Sequence, residues 1–187
     1  DLIFEHDEFI KPDTTVEILE KLRPAFRKEG GSVTAGNSSG LNDGSAALLL
    51  ANESGLSSSG LTPLAQIISS AVVGVEPRIM GIGPVRASEI ALKRAGITFS
   101  DLDVIELNEA FSAQALACIR AWGLDDDDSR INPNGGGISI GHPLGVTGSR
   151  ILLAAARQLE RTGGKYGLVT LCIGVGQGYA VVIKNTQ

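Results

Sequence analysis

Between Pro63 and Lys184 the hydrophobic period of the chain switches back and forth, and this alternation limits the folds open to it. Leu64–Val75 is β-branched and strand-like, and Pro84–Ala95 has helical spacing, with Pro84 suited to a first turn. Asp103–Leu107 reads as a short buried strand, and Asn108–Trp122 as a helix presenting Phe111, Ala115, Ile119 and Trp122 on one face. A Gly-rich segment at 131–148 holds room for one further strand. A helix follows over Gly148–Arg161, then strands Tyr166–Ile173 and Gln177–Lys184 around a Gly-rich turn. The order βαβαβαββ predicts an α/β fold with a five-stranded mixed sheet flanked by helices. Alternation of this kind makes such a sheet mostly parallel, and the last hairpin adds an antiparallel strand.

Upstream the pattern is weaker. Residues 13–23 have helical spacing, with Thr14 as cap and Glu17 three residues on. Residues 30–44 are small and polar, a long loop. Asp43 is placed to cap an apolar helix over Gly44–Asn52, and 53–63 reads as a connection. Leu2–Phe9 already looks like folded sequence, so the chain is expected to continue something longer.

Composition excludes several classes. Lys and Arg number 16 against 21 Asp and Glu, a formal charge of -5, which offers no basic surface for nucleic acid. No apolar run approaches the ~20 residues of a membrane helix. The two cysteines, Cys118 and Cys172, make no disulfide framework and favour a reducing compartment, here the cytoplasm. With only His6 and His142 as histidines and no CxxC spacing, no metal is expected. No organic cofactor is expected either. Glycine is in excess at 24 residues, with clusters at 135–148 and 174–178 that suit a site more than a linker.

Three polar residues fall where α/β folds place their sites. Asn108 follows a strand and precedes a helix; taken alone it reads as an N-cap. His142 is flanked by Gly141 and Pro143, which set an unusual backbone around a side chain able to carry a proton near neutral pH. Cys172 ends an apolar strand. It is either a small buried hydrophobe or a group served by the backbone N–H donors of the Gly-rich turn after it. Cys118, mid-helix between Ala117 and Ile119, reads as structural. The Gly-rich runs fail both phosphate-binding fingerprints: Gly174–Gly178 joins two strands, and Gly135-Gly136-Gly137 does not continue to Gly-Lys-Ser/Thr.

Taken together, Asn108-Glu109-Ala110-Phe111, Asn134–Gly145 and Leu171–Gly178 resemble the three carboxy-terminal blocks of thiolases, and Thr34–Gly44 and Met80–Pro84 resemble two more. The likeness covers essentially the whole chain and is greatest to the biosynthetic acetyl-CoA acetyltransferase branch. The resemblance implies two similar halves with an inserted loop domain. Residues 1–40 would end the loop domain, 41–60 would be the last helix of the amino-terminal half, and 61–187 would be the carboxy-terminal domain. It implies reversible condensation of two acetyl-CoA to acetoacetyl-CoA, with coenzyme A thioesters as substrates. The acyl-accepting cysteine would lie on a missing amino-terminal half, so the chain alone would be inactive, its first 60 residues short of packing partners. The whole protein would be a homodimer or homotetramer.

Carried over residue by residue, Cys172 moves the α-carbon proton, poised near working pH by a nearby His and Gly-rich N–H groups. His142 activates the nucleophile and binds the thioester oxygen, and Asn108 holds a water on that oxygen. Gly174 N–H serves a second oxyanion hole, and Ser39, Met80, Ala110 and Phe111 contact coenzyme A. Where many biosynthetic members carry Gly and Met, this chain has Val175 and Gln177. A non-catalytic thiolase-like binding module, a 3-ketoacyl-CoA thiolase of fatty-acid degradation and, at a distance, a ketoacyl synthase-like enzyme are the alternatives.

Overall fold

The computed structural model describes Ile3 and residues 5–187. Of the Leu2–Phe9 stretch, Leu2 and Phe4 lie outside the described residues, as does Asp1; the rest is exposed and irregular.

Four strands form one sheet in the order β1-β4-β3-β2, where β1 is Ala65–Gly74, β2 Val104–Leu107, β3 Tyr166–Ile173 and β4 Gln177–Asn185. β2 and β3 run parallel, while β3/β4 and β4/β1 are antiparallel. The sheet is thus mixed and not mostly parallel, because β1 pairs with the outer strand of the last hairpin.

The fifth strand shrinks to a single bridge, Ile105 with Ile131. Asn132 ends it by entering a left-handed conformation, φ 45°. Its side-chain amide then accepts from Leu107 N at 2.9 Å and donates to Leu107 O at 2.8 Å. One carboxamide thereby satisfies the edge of β2 that further strand backbone would have paired.

The period-2 alternation of the strands divides the core into layers. Ile105, Leu168, Ala180 and Val182 face Ala87, Ala91 and Leu92 of α3 (Gly83–Ala95). Val104, Val169, Val181 and Ile183 face Ile151, Ala155 and Leu159 of α6 (Leu144–Thr162) on the other side. Leu107 packs on Ala115, Cys118 and Ile119 of α4 (Ser112–Ala121). α3 ends at Gly96 and α6 at Gly163, both left-handed C-caps. Among the described residues no helix is long and apolar enough to cross a membrane.

Several boundaries differ from expectation. α1 is only Val16–Glu20 and is capped by Thr15, whose hydroxyl accepts from Ile18 N, not by Thr14. The helix expected over Gly44–Asn52 is absent. Helix α2 occupies Glu53–Ser59 instead, within the expected connection, capped by Asn52. Leu49 is 81% exposed and Leu50 72%, and no segment among the described residues covers them. A short apolar helix without a surface to pack on has little to hold it. Among the described residues none before Ala71 is buried.

Candidate active site

β2 and β3 are parallel neighbours, so their carboxyl ends open at the same edge of the sheet, the usual location of sites in α/β folds. Asn108 follows β2, and its N–H donates to Thr170 O of β3 at 3.0 Å. It caps no helix: α4 begins at Ser112, after Phe111. Asn108 is instead 1% exposed, with its side-chain amide 3.3 Å from His142 Nε2 and its Oδ1 buried without a protein partner. The sequence alone favoured a cap. The N-cap position of α4 is held by Phe111 without a side-chain hydrogen bond, and Asn108 faces the histidine.

Local backbone chemistry aims His142. Helix α5, Gly137–Ile140, ends at Gly141, which takes φ 94°, a conformation open to glycine. Pro143 then precedes α6, which starts four residues earlier than its periodicity suggested. The His142 N–H is shared between Gly40 O and Asn42 Oδ1, each at 3.2 Å. On the ring, Nδ1 lies 2.7 Å from the hydroxyl of Thr147, one turn into α6. With the Asn108 amide donating to Nε2, Nδ1 carries the proton and donates to Thr147. Burial and then the Arg150 guanidinium hold the imidazole below its ordinary pKa, so it is neutral near pH 7.

Cys172 is buried and free. Burial pushes its thiol up from the ordinary range, partly offset by its own backbone N–H. Proximity to a histidine was expected to do the opposite. Among the described residues no hydrogen bond joins Cys172 to His142, so desolvation decides the direction. Gly174 is exposed in the following turn and its N–H meets no protein acceptor among the described residues. Next to it Val175 is 85% exposed at φ 69°, a β-branched residue in left-handed backbone. Conformations of this kind cluster at functional sites. Cys118 is indeed structural: its Sγ donates to Gly81 O at 3.4 Å, and burial pushes its thiol up to about 11.

Three of the four remaining candidates form a second group. Ser39 N donates to Ala110 O at 3.0 Å, and Ser38 bridges Phe111, whose ring meets Phe26 edge-on at 5.7 Å. Ser39, Ala110 and Phe111 thus stand together. Met80 is half-buried on a separate 3-10 turn, Pro77–Ile82, that packs on α4.

Sequence reasoning passed over the residues that hold this group in place. Glu109 accepts from Asn132 Nδ2 at 2.7 Å and from Ile138 N at 3.2 Å, tying the Gly-rich segment to the end of β2. Thr147, Asn42 and Arg150 carried no periodic signal. Glu106 did carry one: a charge inside the apolar run Asp103–Leu107. It is 2% exposed, and burial, opposed by Arg150, pushes its carboxyl up to about 7.

A carboxyl whose folded pKa is raised holds its proton more tightly in the native state. Its stabilisation is complete below the ordinary value of 4.5 and is lost as pH rises through about 7. The loss amounts to about 3 kcal/mol. Glu106→Gln is therefore expected to flatten the fall in stability across this window, as read by urea denaturation at several pH values. A slope equal to wild type would refute it.

Residues 61–185 match the family model for the thiolase C-terminal domain, and residues 1–54 the model for the thiolase N-terminal domain. The chain is 54% identical over 181 residues to the 3-oxoadipyl-CoA/3-oxo-5,6-dehydrosuberyl-CoA thiolase of Escherichia coli (strain K12), covering 97% of this chain and 45% of that protein. It is 52% identical to beta-ketothiolase BktB of Cupriavidus necator, covering 99% of this chain and 46% of that protein. Among solved structures, Bacillus anthracis acetyl-CoA acetyltransferase superposes with a TM-score of 0.91 at 46% identity, over 98% of this chain and 46% of that one. Human mitochondrial 3-ketoacyl-CoA thiolase, also solved in complex with CoA, superposes with a TM-score of 0.87 at 47% identity, over 97% of this chain and 45% of that one. The chain thus spans a little under half the length of the curated relatives it matches. On the match of both family models and this level of identity, the chain belongs to the thiolase family.

Proposed function

We propose that the chain is the carboxy-terminal part of a thiolase that forms and cleaves 3-oxoacyl-CoA thioesters by a ping-pong route. The observation that carries this reading is the line Asn108–His142–Thr147, set at the strand ends that also carry Cys172 and Gly174. An acyl-transfer site needs donors aimed where negative charge develops on the thioester oxygen. His142 Nε2 and a water held on the unpartnered Oδ1 of Asn108 supply them, and His142 also activates the nucleophilic cysteine. For Nε2 to donate, the imidazole takes its other neutral tautomer or the charged form, with the Thr147 hydroxyl turning to suit.

Cys172 takes the α-carbon proton of the thioester, and the Gly174 N–H faces the second oxyanion. Ser39, Ala110, Phe111 and Met80 contact the coenzyme A arm. The acyl-accepting cysteine belongs to the amino-terminal part of the whole protein. In this reading residues 1–40 close the loop domain, 41–60 the amino-terminal half, and 61–187 form the carboxy-terminal domain.

Acetoacetyl-CoA is the substrate of the first reading. A second, 3-oxoadipyl-CoA, is favoured by the curated relative of that name at 54% identity. The test compares CoA-dependent cleavage of both thioesters by a whole-length polypeptide carrying this sequence and by the 187-residue chain alone. Cleavage is expected from the whole protein only. Turnover by the isolated chain would overturn the division of labour, and none by the whole protein on either thioester would overturn the reaction.

A further inference from the structure

Arg150 and Glu106 stand behind His142 with no role yet assigned. Arg150 lies one turn after Thr147 on α6, on the same side of the helix. Thr147 holds the ring at Nδ1, and Arg150 Nη2 donates to Gly141 O, 3.3 Å away, on the residue just before the ring. At φ 94° the Gly141 backbone is in a region open to glycine, and the Arg150 donor on its carbonyl adds to the Gly40 and Asn42 acceptors of the His142 N–H in holding the same peptide plane. Glu106 lies on β2 two residues before Asn108, which follows the strand, so both side chains point to the same side. Glu106 Oε1 and Arg150 Nε are both buried, and neither has a hydrogen-bond partner. Both sit on the side of the sheet that α6 covers, and no direct ion pair joins them among the described residues.

We propose that Arg150 is a positioning residue for His142: it grips the Gly141 carbonyl and presents a fixed positive charge to the imidazole, with the buried Glu106 carboxyl as its counter-charge.

The surroundings leave few other charges to do this. From α6 the imidazole faces Arg150 and neutral Thr147; from the segment after β2 it faces Asn108; from the 40–42 segment it faces Gly40 O and Asn42. Glu106 faces Arg150 from α6, Glu109 from the segment after β2, and apolar Val169 across from β3. Glu109 is already engaged by Asn132 and Ile138. A positive charge beside the ring disfavours the imidazolium and keeps His142 neutral. As Glu106 ionises, its negative charge offsets Arg150 and the ring becomes more basic. The consequence for turnover rests on the proposed catalytic role of His142, but the charge coupling can be measured without turnover.

The test is an NMR pH titration of the His142 ring in the 187-residue chain, with His6→Gln to assign the two histidines. The His142 midpoint is expected to rise in Arg150→Met and to stay low in Arg150→Lys, which keeps the charge. The wild-type curve should show a second, smaller step near pH 7 from Glu106, lost in Glu106→Gln. A midpoint unchanged in Arg150→Met, or raised as far in Arg150→Lys, overturns the proposal. Should Arg150→Met not fold, Glu106→Gln decides: a two-step curve that persists in that variant overturns it. Failure of thioester cleavage in the whole protein leaves these titrations as they are, so the two readings fail separately.

Discussion

Replacing Cys172 with alanine in the whole-length protein is expected to lower both condensation and cleavage by about 100- to 10,000-fold, the span of a lost general acid–base group. The loss should be selective. Release of coenzyme A on first acylation, which needs the nucleophilic cysteine and not Cys172, should persist. Exchange of the acetyl-CoA methyl protons with deuterated water should vanish. The reason lies in the position of the thiol: buried at the end of β3, it is held in its protonated form at neutral pH by desolvation. In the proposed reaction it would therefore be a ready donor to the carbanion formed on cleavage. As a base it is scarce, because only the thiolate accepts the α-proton. The condensing half-reaction of the acylated enzyme should accordingly speed up between about pH 6 and 9 as the thiolate fraction grows. A flat profile, or surviving proton exchange in Cys172→Ala, would remove Cys172 from this role.

The same thiol marks how far sequence reasoning reaches. Its place at a strand end beside a Gly-rich turn was legible, because apolar runs and glycines are local signals. The direction of its pKa was not, since that depends on what covers it. Asn108 shows the same division. The dipeptide Leu107-Asn108 fits an N-cap, but α4 starts only at Ser112, and the Asn108 side chain turns to a histidine 34 residues away. The α3 and α6 faces were readable from period and caps, though the start of α6 was hidden because Leu144-Gly145-Val146 looks like a continuation of the Gly-rich loop. The Gly44–Asn52 helix failed for a tertiary reason: an apolar pattern predicts a buried face, and nothing among the described residues covers Leu49 and Leu50. Asn132 failed the other way, a side chain standing in for strand backbone, which no periodicity encodes.

The largest effect on folding is expected not at a catalytic side chain but at Gly178. It pairs with Cys172 across β3/β4, and on its other side it lies directly against Gly83 at the start of α3. A Cβ added to Gly178 would run into the Gly83 carbonyl carbon and oxygen, and one added to Gly83 would meet Gln177 O at 2.6 Å. Two backbones are touching, so no rotamer change can relieve the clash, and either α3 or β4 must move. α3 is fixed by Ala87, Ala91 and Leu92 in the core, and β4 by strands on both sides. Gly178→Ala should therefore cost about 3 kcal/mol, at the upper end of overpacking effects. The urea midpoint of the 187-residue chain reads this directly. Gly145→Ala is the contrasting substitution: it sits in α6 with open space where its Cβ would go, so it should be neutral or raise stability by up to about 1 kcal/mol. A wild-type midpoint in Gly178→Ala would mean that the two backbones are not in contact. A lowered midpoint with the same change in Gly83→Ala would place the limit on how this chain packs in the contact that sets the β3–β4 hairpin, and Cys172 with it, against α3.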